Sequence, residues 1–233
     1  MRILVFGGSG TLGTALQKLD DSMICPSKDD FNIIHRGDVH TAFYLFRPDL
    51  VINCAAIIDD RAINEEPSDA IAVNIIGSGH IARECSERHI RYVYISTDYV
   101  YPGKHGKYKE SDSMYPCNKY AWSKLGGECS ALMLENSLII RTSFGKEKFE
   151  YSHAFIDKWT SKDYVDVIAP MILEASKSNL TGIVNIGTKR KTMYDYASKR
   201  NQVEPIWVEG SGINTPKDTS LNLLRWERFK KNI

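Results

Sequence analysis

A glycine-rich loop near the amino terminus constrains the fold of this chain more than any other feature. The loop, Gly7-Gly8-Ser9-Gly10-Thr11-Leu12-Gly13, follows the apolar run Arg2–Phe6 and opens an amphipathic stretch, Thr11–Leu19. Glycines between a strand and a helix allow a tight turn and let the backbone approach a pyrophosphate closely. The N-terminus of the helix supplies free N–H groups for the same phosphates. The loop therefore predicts a dinucleotide site that includes Gly7, Gly10 and Gly13.

Apolar runs alternate with longer amphipathic stretches along most of the chain. We predict strands at Arg2–Phe6, Met23–Cys25, Leu50–Ala55, Arg91–Ser96, Ser137–Thr142 and Ile183–Ile186. We predict helices at Thr11–Leu19, Val39–Phe46, Ser68–Arg88, Asn118–Leu134 and Asp163–Ser176, and an irregular tail after Gly187. This alternation is typical of parallel βαβ units. The predicted fold class is therefore α/β, with a Rossmann-type doubly wound parallel sheet that binds ligands at the carboxyl ends of its strands.

Composition excludes several kinds of partner. The 30 basic and 29 acidic residues leave a net charge of +1, which argues against a general affinity for nucleic acid or anionic membranes. The apolar runs are far shorter than the roughly 20 residues that span a bilayer, and the first residues do not resemble a signal peptide. The five cysteines form no C-x-x-C pair, and the six histidines are scattered. We therefore expect no metal site and a reducing, cytoplasmic location.

The end of the second predicted strand bears on the choice between NADP and NAD. A cation at this place accommodates the 2′-phosphate of NADP, whereas an acid holds the ribose 2′-hydroxyl of NAD. Ser27 and Lys28 favour NADP(H) over NAD(H), but Asp29 and Asp30 follow directly. The sequence therefore predicts NADP(H) and leaves NAD(H) as the alternative.

A tyrosine and a lysine on one helix indicate proton-transfer chemistry. Tyr120 and Lys124 are four residues apart, so both side chains lie on one face of the helix. A neighbouring ammonium lowers the pKa of a phenol, and the pair then serves as general acid or base at a carbonyl or alcohol. The hydroxyl of Thr97, at the carboxyl end of a predicted strand, would hydrogen-bond the same substrate oxygen.

Seven motifs occur in an order that carries a family resemblance. They are Gly7-x-x-Gly10-x-x-Gly13, Pro48–Ala56, Ser96–Gly103, Tyr108–Asp112, Pro116–Tyr120, Lys124–Glu128 and Ile140–Ser143. Together they resemble the extended short-chain dehydrogenase/reductase superfamily and, within it, the dTDP-4-dehydrorhamnose reductase family. The resemblance is close over residues 1 to about 145 and looser beyond.

The resemblance implies roles for individual residues. Thr97, Tyr120 and Lys124 would be the catalytic residues, and Lys124 would also hold the nicotinamide ribose. The implied cofactor contacts are Gly7, Gly10, Thr11, Leu12, Gly13, Asn32, Ile33, Ala55 and Ala56. The implied substrate contacts are Thr97, Asp98, Tyr99 and Phe144. Because Thr97-Asp98-Tyr99 lacks the second acid of a sugar-nucleotide dehydratase, simple ketone reduction is favoured.

The resemblance also predicts a domain division. Residues 1–144 would form the NAD(P)-binding Rossmann domain, and 163–187 would rejoin its sheet. Residues 145–162 and 188–233 would form a small, shortened C-terminal lobe that binds a nucleotide-sugar substrate. A homodimer would pair through the helices at 68–88 and 118–134.

Three functions remain open at this point. The preferred hypothesis is an NAD(P)H-dependent reductase of a nucleotide-linked 4-keto-6-deoxy sugar. The shortened lobe motivates the second, an NADP-binding regulatory subunit that resembles the β subunit of methionine adenosyltransferase. The third is a nucleotide-sugar C4 epimerase, which would use the same catalytic residues.

Overall fold

The computed structural model describes residues 1–213 and 215–231. Its strands are β1 (Ile3–Phe6), β2 (Leu50–Asn53), β3 (Arg91–Thr97), β4 (Ser137–Thr142), β5 (Phe144–Gly145), β6 (His153–Phe155), β7 (Trp159–Thr160), β8 (Asp163–Tyr164), β9 (Gly182–Asn185), β10 (Lys191–Thr192) and β11 (Glu204–Ile206). Its α-helices are α1 (Thr11–Leu19), α2 (Arg36–Phe46), α3 (Asp60–Glu65), α4 (Ser68–Ala70), α5 (Ser78–Glu87), α6 (Lys119–Leu132), α7 (Val165–Lys177), α8 (Met193–Ser198) and α9 (Leu224–Lys231). A π-helix (Ile71–Gly77) joins α4 to α5, and a 3₁₀-helix (Asp98–Val100) follows β3.

The central sheet is parallel throughout, in the order β1-β2-β3-β4-β9. Its strands are short apolar runs buried on both faces, as expected of a parallel sheet covered by helices. On the other side of β1, Ile24 forms a single parallel bridge to Leu4. The chain thus runs outward from β1 to Ile24 and then returns to β2, so the strand order reverses beside β1. In such sheets this reversal creates the ligand crevice.

Helices cover both faces of the sheet. One core cluster joins the sheet to Leu16 of α1, Ile168 of α7 and Trp226 of α9. The opposite cluster joins it to Phe43 of α2, Ile81 of α5 and Ala131 of α6. The predicted α/β class with a doubly wound parallel sheet is therefore confirmed.

Two predicted elements differ from the structure along the first half of the chain. The strand predicted at Met23–Cys25 is reduced to the bridge at Ile24, because Pro26 has no N–H with which to extend the pairing. The helix predicted at Ser68–Arg88 is continuous in space, but its centre is the π-helix Ile71–Gly77. This turn places Asn74 inward, where its side chain is buried.

The prediction of an irregular tail after Gly187 is wrong. That region contains β10, α8, β11 and α9, which are too short for sequence periodicity to reveal. Tertiary partners stabilise them: β10 pairs with β7, and β11 pairs with β6. Thr192 and Asp195 cap α8 reciprocally. The helix predicted from Asp163 begins at Val165, because Asp163–Tyr164 pairs with β5 instead.

The predicted division into two domains stays a prediction. β9 pairs with β4, and α7 lies in the sheet core through Ile168 and Ile172. Trp226, in the region predicted as lobe, packs in the same core. Asn214, Asn232 and Ile233, which belong to that predicted lobe, lie outside the described residues.

Candidate active site

The glycine loop adopts a conformation that other residues would strain. Gly7 has φ +82°, and a Cβ on it would lie 2.5 Å from the backbone N of Ala55. A Cβ on Gly13 would lie 2.4 Å from the carbonyl O of Gly7, so α1 packs directly on the loop. Gly10 caps α1 without a side-chain hydrogen bond, which leaves the first N–H groups of α1 uncovered by a side chain. This cradle fits the pyrophosphate of a dinucleotide.

The other predicted cofactor residues differ in their exposure to solvent. Ala55 and Ala56, after β2, are half-buried beside the glycine loop. Ser27 accepts a hydrogen bond from the backbone N of Asp29 at 3.1 Å, and Lys28 is exposed next to it. Ile33 is buried in the core under α2 and α5. Only the backbone and the small exposed part of Ile33 could therefore contact an adenine. The roles of these residues stay predictions.

Asn32 serves the local turn. Its side-chain oxygen accepts from the backbone N of Ile34 at 3.2 Å, and its own backbone N donates to Asp38 at 3.1 Å. Asn32 is half-buried. Its predicted contact with adenine stays a prediction.

Thr97, the last residue of β3, lies close enough to Tyr120 for its hydroxyl to act on the Tyr120 pKa. The hydroxyl of Thr97 accepts from the backbone N of Tyr99 at 3.2 Å and donates to Asp98 Oδ1 at 3.3 Å. Burial and then the charge of Asp98 raise the pKa of Tyr120 well above its usual value, while the Thr97 hydroxyl acts in the opposite direction. At neutral pH Tyr120 therefore keeps its proton.

The lowered pKa that the sequence predicted for Tyr120 is wrong for this arrangement. The groups that act on the phenol are Asp98, Thr97 and Tyr99, and none of them is a cation. The ammonium of Lys124 lies instead over the ring of Tyr94, 4.3 Å from its centroid.

Lys124 is almost fully buried on α6. Burial lowers the pKa of Lys124 to about 8, while the neighbouring Cys54 and Glu128 act in the opposite direction. Cys54 directly precedes Ala55, the residue against which Gly7 packs. Lys124 therefore links the catalytic helix to the glycine loop, in keeping with its predicted contact with a ribose.

Asp98 does not face open solvent, as a simple substrate contact would. It is 2% exposed, and its Oδ2 accepts from the hydroxyl of Thr219 at 2.7 Å. Burial raises the pKa of Asp98 to about 6, against the Thr219 hydrogen bond and the charges of Lys162 and Lys158. The sequence analysis missed these three residues, because no local motif marks them.

Tyr99 and Phe144, the other predicted substrate contacts, lie in different surroundings. The hydroxyl of Tyr99 accepts from Lys158 Nζ at 2.9 Å, and Lys158 also donates to Thr215. Burial lowers the pKa of Lys158, with Asp98 acting in the opposite direction. Phe144 is half-buried and packs against the sheet core. Both roles toward a substrate stay predictions.

Two buried polar groups hold the site in place. Glu128 and Arg141 form a fully buried ion pair, and Ser96 Oγ donates to Glu128 at 2.7 Å. Asn74 accepts from the backbone N of Ile57 at 2.8 Å and donates to Ser123 Oγ at 2.8 Å. The first pair ties β4 to α6, and Asn74 ties the loop after β2 to α6. Glu128 and Arg141 lie in two of the seven sequence motifs, Lys124–Glu128 and Ile140–Ser143, whereas no motif contains Asn74.

Over 1–213 and 215–231, no group of three or more His, Cys, Asp or Glu residues is arranged to hold a metal ion. In the same residues, no helix combines the length and apolar character required to cross a membrane.

Together, a parallel sheet, a glycine cradle at its strand reversal and a Tyr-Lys helix define a Rossmann-type nucleotide-binding protein. The family described as RmlD substrate binding domain matches residues 1–173. The chain belongs to this family. The resemblance predicted from the motifs is thereby confirmed.

Two curated relatives show how the likeness is distributed. The dTDP-4-dehydrorhamnose reductase of Aggregatibacter actinomycetemcomitans is 32% identical over 180 residues, 73% of this chain and 61% of that protein. Methionine adenosyltransferase 2 subunit beta of Bos taurus is 32% identical over 148 residues, 59% of this chain and 44% of that protein. The alignments thus span less than two thirds of either relative.

Solved structures are similar over nearly the whole chain. A hypothetical dTDP-4-dehydrorhamnose reductase from Sulfolobus tokodaii has a TM-score of 0.85 at 28% identity, covering 98% of this chain and 94% of that one. The dTDP-4-dehydrorhamnose reductase of Bacillus anthracis, in complex with NADP, has a TM-score of 0.86 at 24% identity, covering 98% and 91%. The second likeness shows the fold alone.

Proposed function

We propose that this chain is an NADPH-dependent reductase of a nucleotide-linked 4-keto-6-deoxy sugar, of the short-chain dehydrogenase/reductase class. One observation carries the proposal. Thr97 ends β3 close enough to Tyr120 for its hydroxyl to act on the Tyr120 pKa, and Tyr120 shares α6 with Lys124, whose neighbour Cys54 precedes the Gly7–Ala55 contact of the glycine loop. The names of the relatives support the substrate class.

The chain's own residues have separate parts in this reaction. Bound NADPH supplies the hydride. Tyr120 donates the proton to the ketone oxygen, and its raised pKa keeps that proton available at neutral pH. The Thr97 side chain, whose hydroxyl donates to Asp98, lies beside Tyr120 and holds the phenol in place. Lys124 holds the ribose.

The choice of NADP over NAD belongs to the proposal. It is supported by the exposed Lys28 beside Ser27, shortly after the Ile24 bridge, where a 2′-phosphate would lie. The Bacillus anthracis reductase was solved in complex with NADP. A reducing cytoplasmic location, favoured by the five free cysteines, and a homodimer are further parts of the proposal.

Turnover of NADPH with dTDP-4-keto-6-deoxy sugars tests the function. Tyr120→Phe should abolish turnover, at least a hundredfold, because the proton donor is removed. NADPH binding, measured by fluorescence titration, should remain within about twofold. Tyr44→Phe, which removes the hydroxyl of an exposed tyrosine on α2, is the matched control and should keep full turnover.

Two outcomes would contradict the reductase. Equal turnover in wild type and Tyr120→Phe would remove Tyr120 from the reaction. NADPH binding without oxidation across the whole panel of keto sugars would favour the second candidate, a cofactor-binding subunit. Its support is the 32% identity to methionine adenosyltransferase 2 subunit beta.

A further inference from the structure

A segment near the end of the described chain, residues 215–221, closes over the loop that follows β3. The backbone N of Asp218 donates to the carbonyl of Gly103 at 2.9 Å, and the N of Tyr108 donates to Ser220 O at 3.0 Å. On its other side, the N of Thr219 donates to Trp159 O at 3.1 Å. The 215–221 segment is therefore fixed between the loop after β3 and strand β7.

Asp218 packs the 215–221 segment closely against the loop after β3. A Cβ on Gly106 would lie 2.2 Å from the carboxylate of Asp218. That carboxylate also pairs with Arg190, whose Nη2 lies 2.7 Å from Oδ2. The 215–221 segment therefore forms a wall beside the candidate active site.

One hydrogen bond connects the 215–221 segment to Asp98, the neighbour of Thr97. Thr219, which is 1% exposed, donates its hydroxyl to Asp98 Oδ2 at 2.7 Å. Asp98 Oδ1 accepts the hydroxyl of Thr97 at 3.3 Å. Both carboxylate oxygens are thus used as acceptors, and only an ionised carboxylate accepts at both without a proton of its own. An ionised Asp98 fixes the direction of the Thr97 O–H bond.

Several titratable groups surround Asp98. Lys158 and Lys162 act from the segment around β7, Tyr99 from the 3₁₀-helix, and Cys117 and Tyr120 from the start of α6. Burial raises the pKa of Asp98 to about 6, and the Thr219 hydrogen bond is the largest opposing effect. The protonation of Asp98 thus changes within the range of ordinary assays.

We propose that Asp98 is a positioning residue that directs the Thr97 hydroxyl during ketone reduction, and that Thr219 keeps its carboxylate ionised and in place. This inference rests on the proposed function. It assigns a role in the reaction to the 215–221 segment, which lies beyond the family match at residue 173. Protonation of Asp98 removes an acceptor from Thr97, so turnover should fall as the pH drops through about 6.

The first experiment titrates Asp98 directly and needs no substrate. Protein labelled with ¹³C at aspartate carboxyls is followed by NMR, and Asp98→Asn assigns the signal. Thr219→Val should raise the midpoint by about one pH unit, a tenfold change in the ionised fraction below the midpoint. Thr219→Ser, which keeps the hydroxyl, should restore the wild-type midpoint.

A control and a second variant keep this measurement decisive. Thr192→Val removes another buried threonine hydroxyl, the N-cap of α8, and should leave the Asp98 midpoint unchanged. Thr97→Val removes the other hydrogen bond to Asp98 and should also raise the midpoint, whether or not Thr219→Val folds. An Asp98 midpoint equal to that of the wild type in Thr219→Val or in Thr97→Val would overturn the inference.

The second experiment measures kcat against pH with NADPH and a reducible keto sugar. In Thr219→Val the acid limb of the kcat–pH profile should shift to higher pH, in step with the NMR midpoint. In Thr219→Ser it should return to the wild-type pH. KM for NADPH should stay constant in both variants. An active wild type whose acid limb is unchanged by Thr219→Val overturns the inference alone. A wild type without turnover overturns the proposed function and, with it, the catalytic role of Asp98.

Discussion

Gly7 and Ala55 pack so closely that a single methyl group on Gly7 would lie 2.5 Å from the backbone N of Ala55. The contact joins the loop after β1 to the loop after β2, the two edges of the crevice where the strand order reverses. The first loop forms the cradle for phosphates, and the second leads through Cys54 to Lys124. This backbone contact therefore packs the glycine loop against the loop that carries Cys54, the neighbour of Lys124 on α6.

Gly7→Ala should damage both the fold and the cofactor site. The variant combines a positive φ with a backbone clash, so we expect a loss of about 2–4 kcal/mol in the free energy of unfolding. Affinity for NADPH should fall at least tenfold. Urea denaturation and fluorescence titration measure the two effects.

Gly79→Ala is the matched control for this substitution. Gly79 is helical, and a Cβ on it would meet nothing within 4 Å. Alanine there should stabilise the protein by about 0.5–1 kcal/mol and leave NADPH affinity unchanged. Equal stability of the two alanine variants would show that the Gly7–Ala55 contact does not constrain the loop.

Lys124→Met should stabilise the protein at neutral pH while abolishing turnover. Burial lowers the pKa of Lys124 to about 8 in the folded state, against 10.5 in the unfolded chain. Below pH 8 both states carry the charge, and the folded state bears its full desolvation cost, roughly 3 kcal/mol. Between pH 8 and 10.5 the folded lysine loses its proton first, so the wild type gains stability relative to the variant.

The measurement is urea denaturation of wild type and Lys124→Met at pH 7 and at pH 9.5. We expect the variant's advantage to be largest at pH 7 and to shrink by about 2 kcal/mol at pH 9.5. An advantage that is the same at both pH values would mean that Lys124 has an ordinary pKa in the folded protein.

Breaking the buried pair of Glu128 and Arg141 should be among the most destabilising changes available. Both side chains have no exposed surface, and Arg141 also donates to Tyr101 Oη at 2.8 Å. Arg141→Met leaves the Glu128 charge buried alone, which costs about 3–5 kcal/mol. The double variant Glu128→Gln, Arg141→Met should cost clearly less than the sum of the single changes.

A double-mutant cycle by chemical denaturation checks this coupling. The control is the exposed pair of Arg61 and Glu65 on α3, where Arg61→Met should produce no resolvable change. Strict additivity of the Glu128 and Arg141 variants would refute the coupling.

Lys28→Glu should alter cofactor preference without altering the catalytic step. An acid in the loop after the Ile24 bridge would repel a 2′-phosphate, so we expect the ratio of NADPH to NADH affinity to fall at least tenfold. Lys231→Glu, the same charge change on α9, should leave the ratio unchanged. If Lys28→Glu also leaves it unchanged, another residue recognises the phosphate.

Local sequence patterns predicted most of the sheet and the glycine loop. β4 and α1 have the predicted bounds, because each is a run of residues whose period matches its own secondary structure. The same logic failed at Met23–Cys25, where Pro26 ends the pairing, and in the tail, where elements of two to eight residues depend on distant partners. Hydrophobic period carries no information about such partners.

The chain by itself determined the fold class, the cradle at Gly7 and the Tyr120–Lys124 face, because glycine conformation and helix geometry are local properties. Only the tertiary structure decided the state of Asp98. Its partner Thr219 is 121 residues away in sequence, and its pKa depends on how completely both are buried. Burial and long-range hydrogen bonds arise when the 215–221 segment packs against the loop after β3. The local residues thus specify which groups are present, and the packed chain sets their charge and direction.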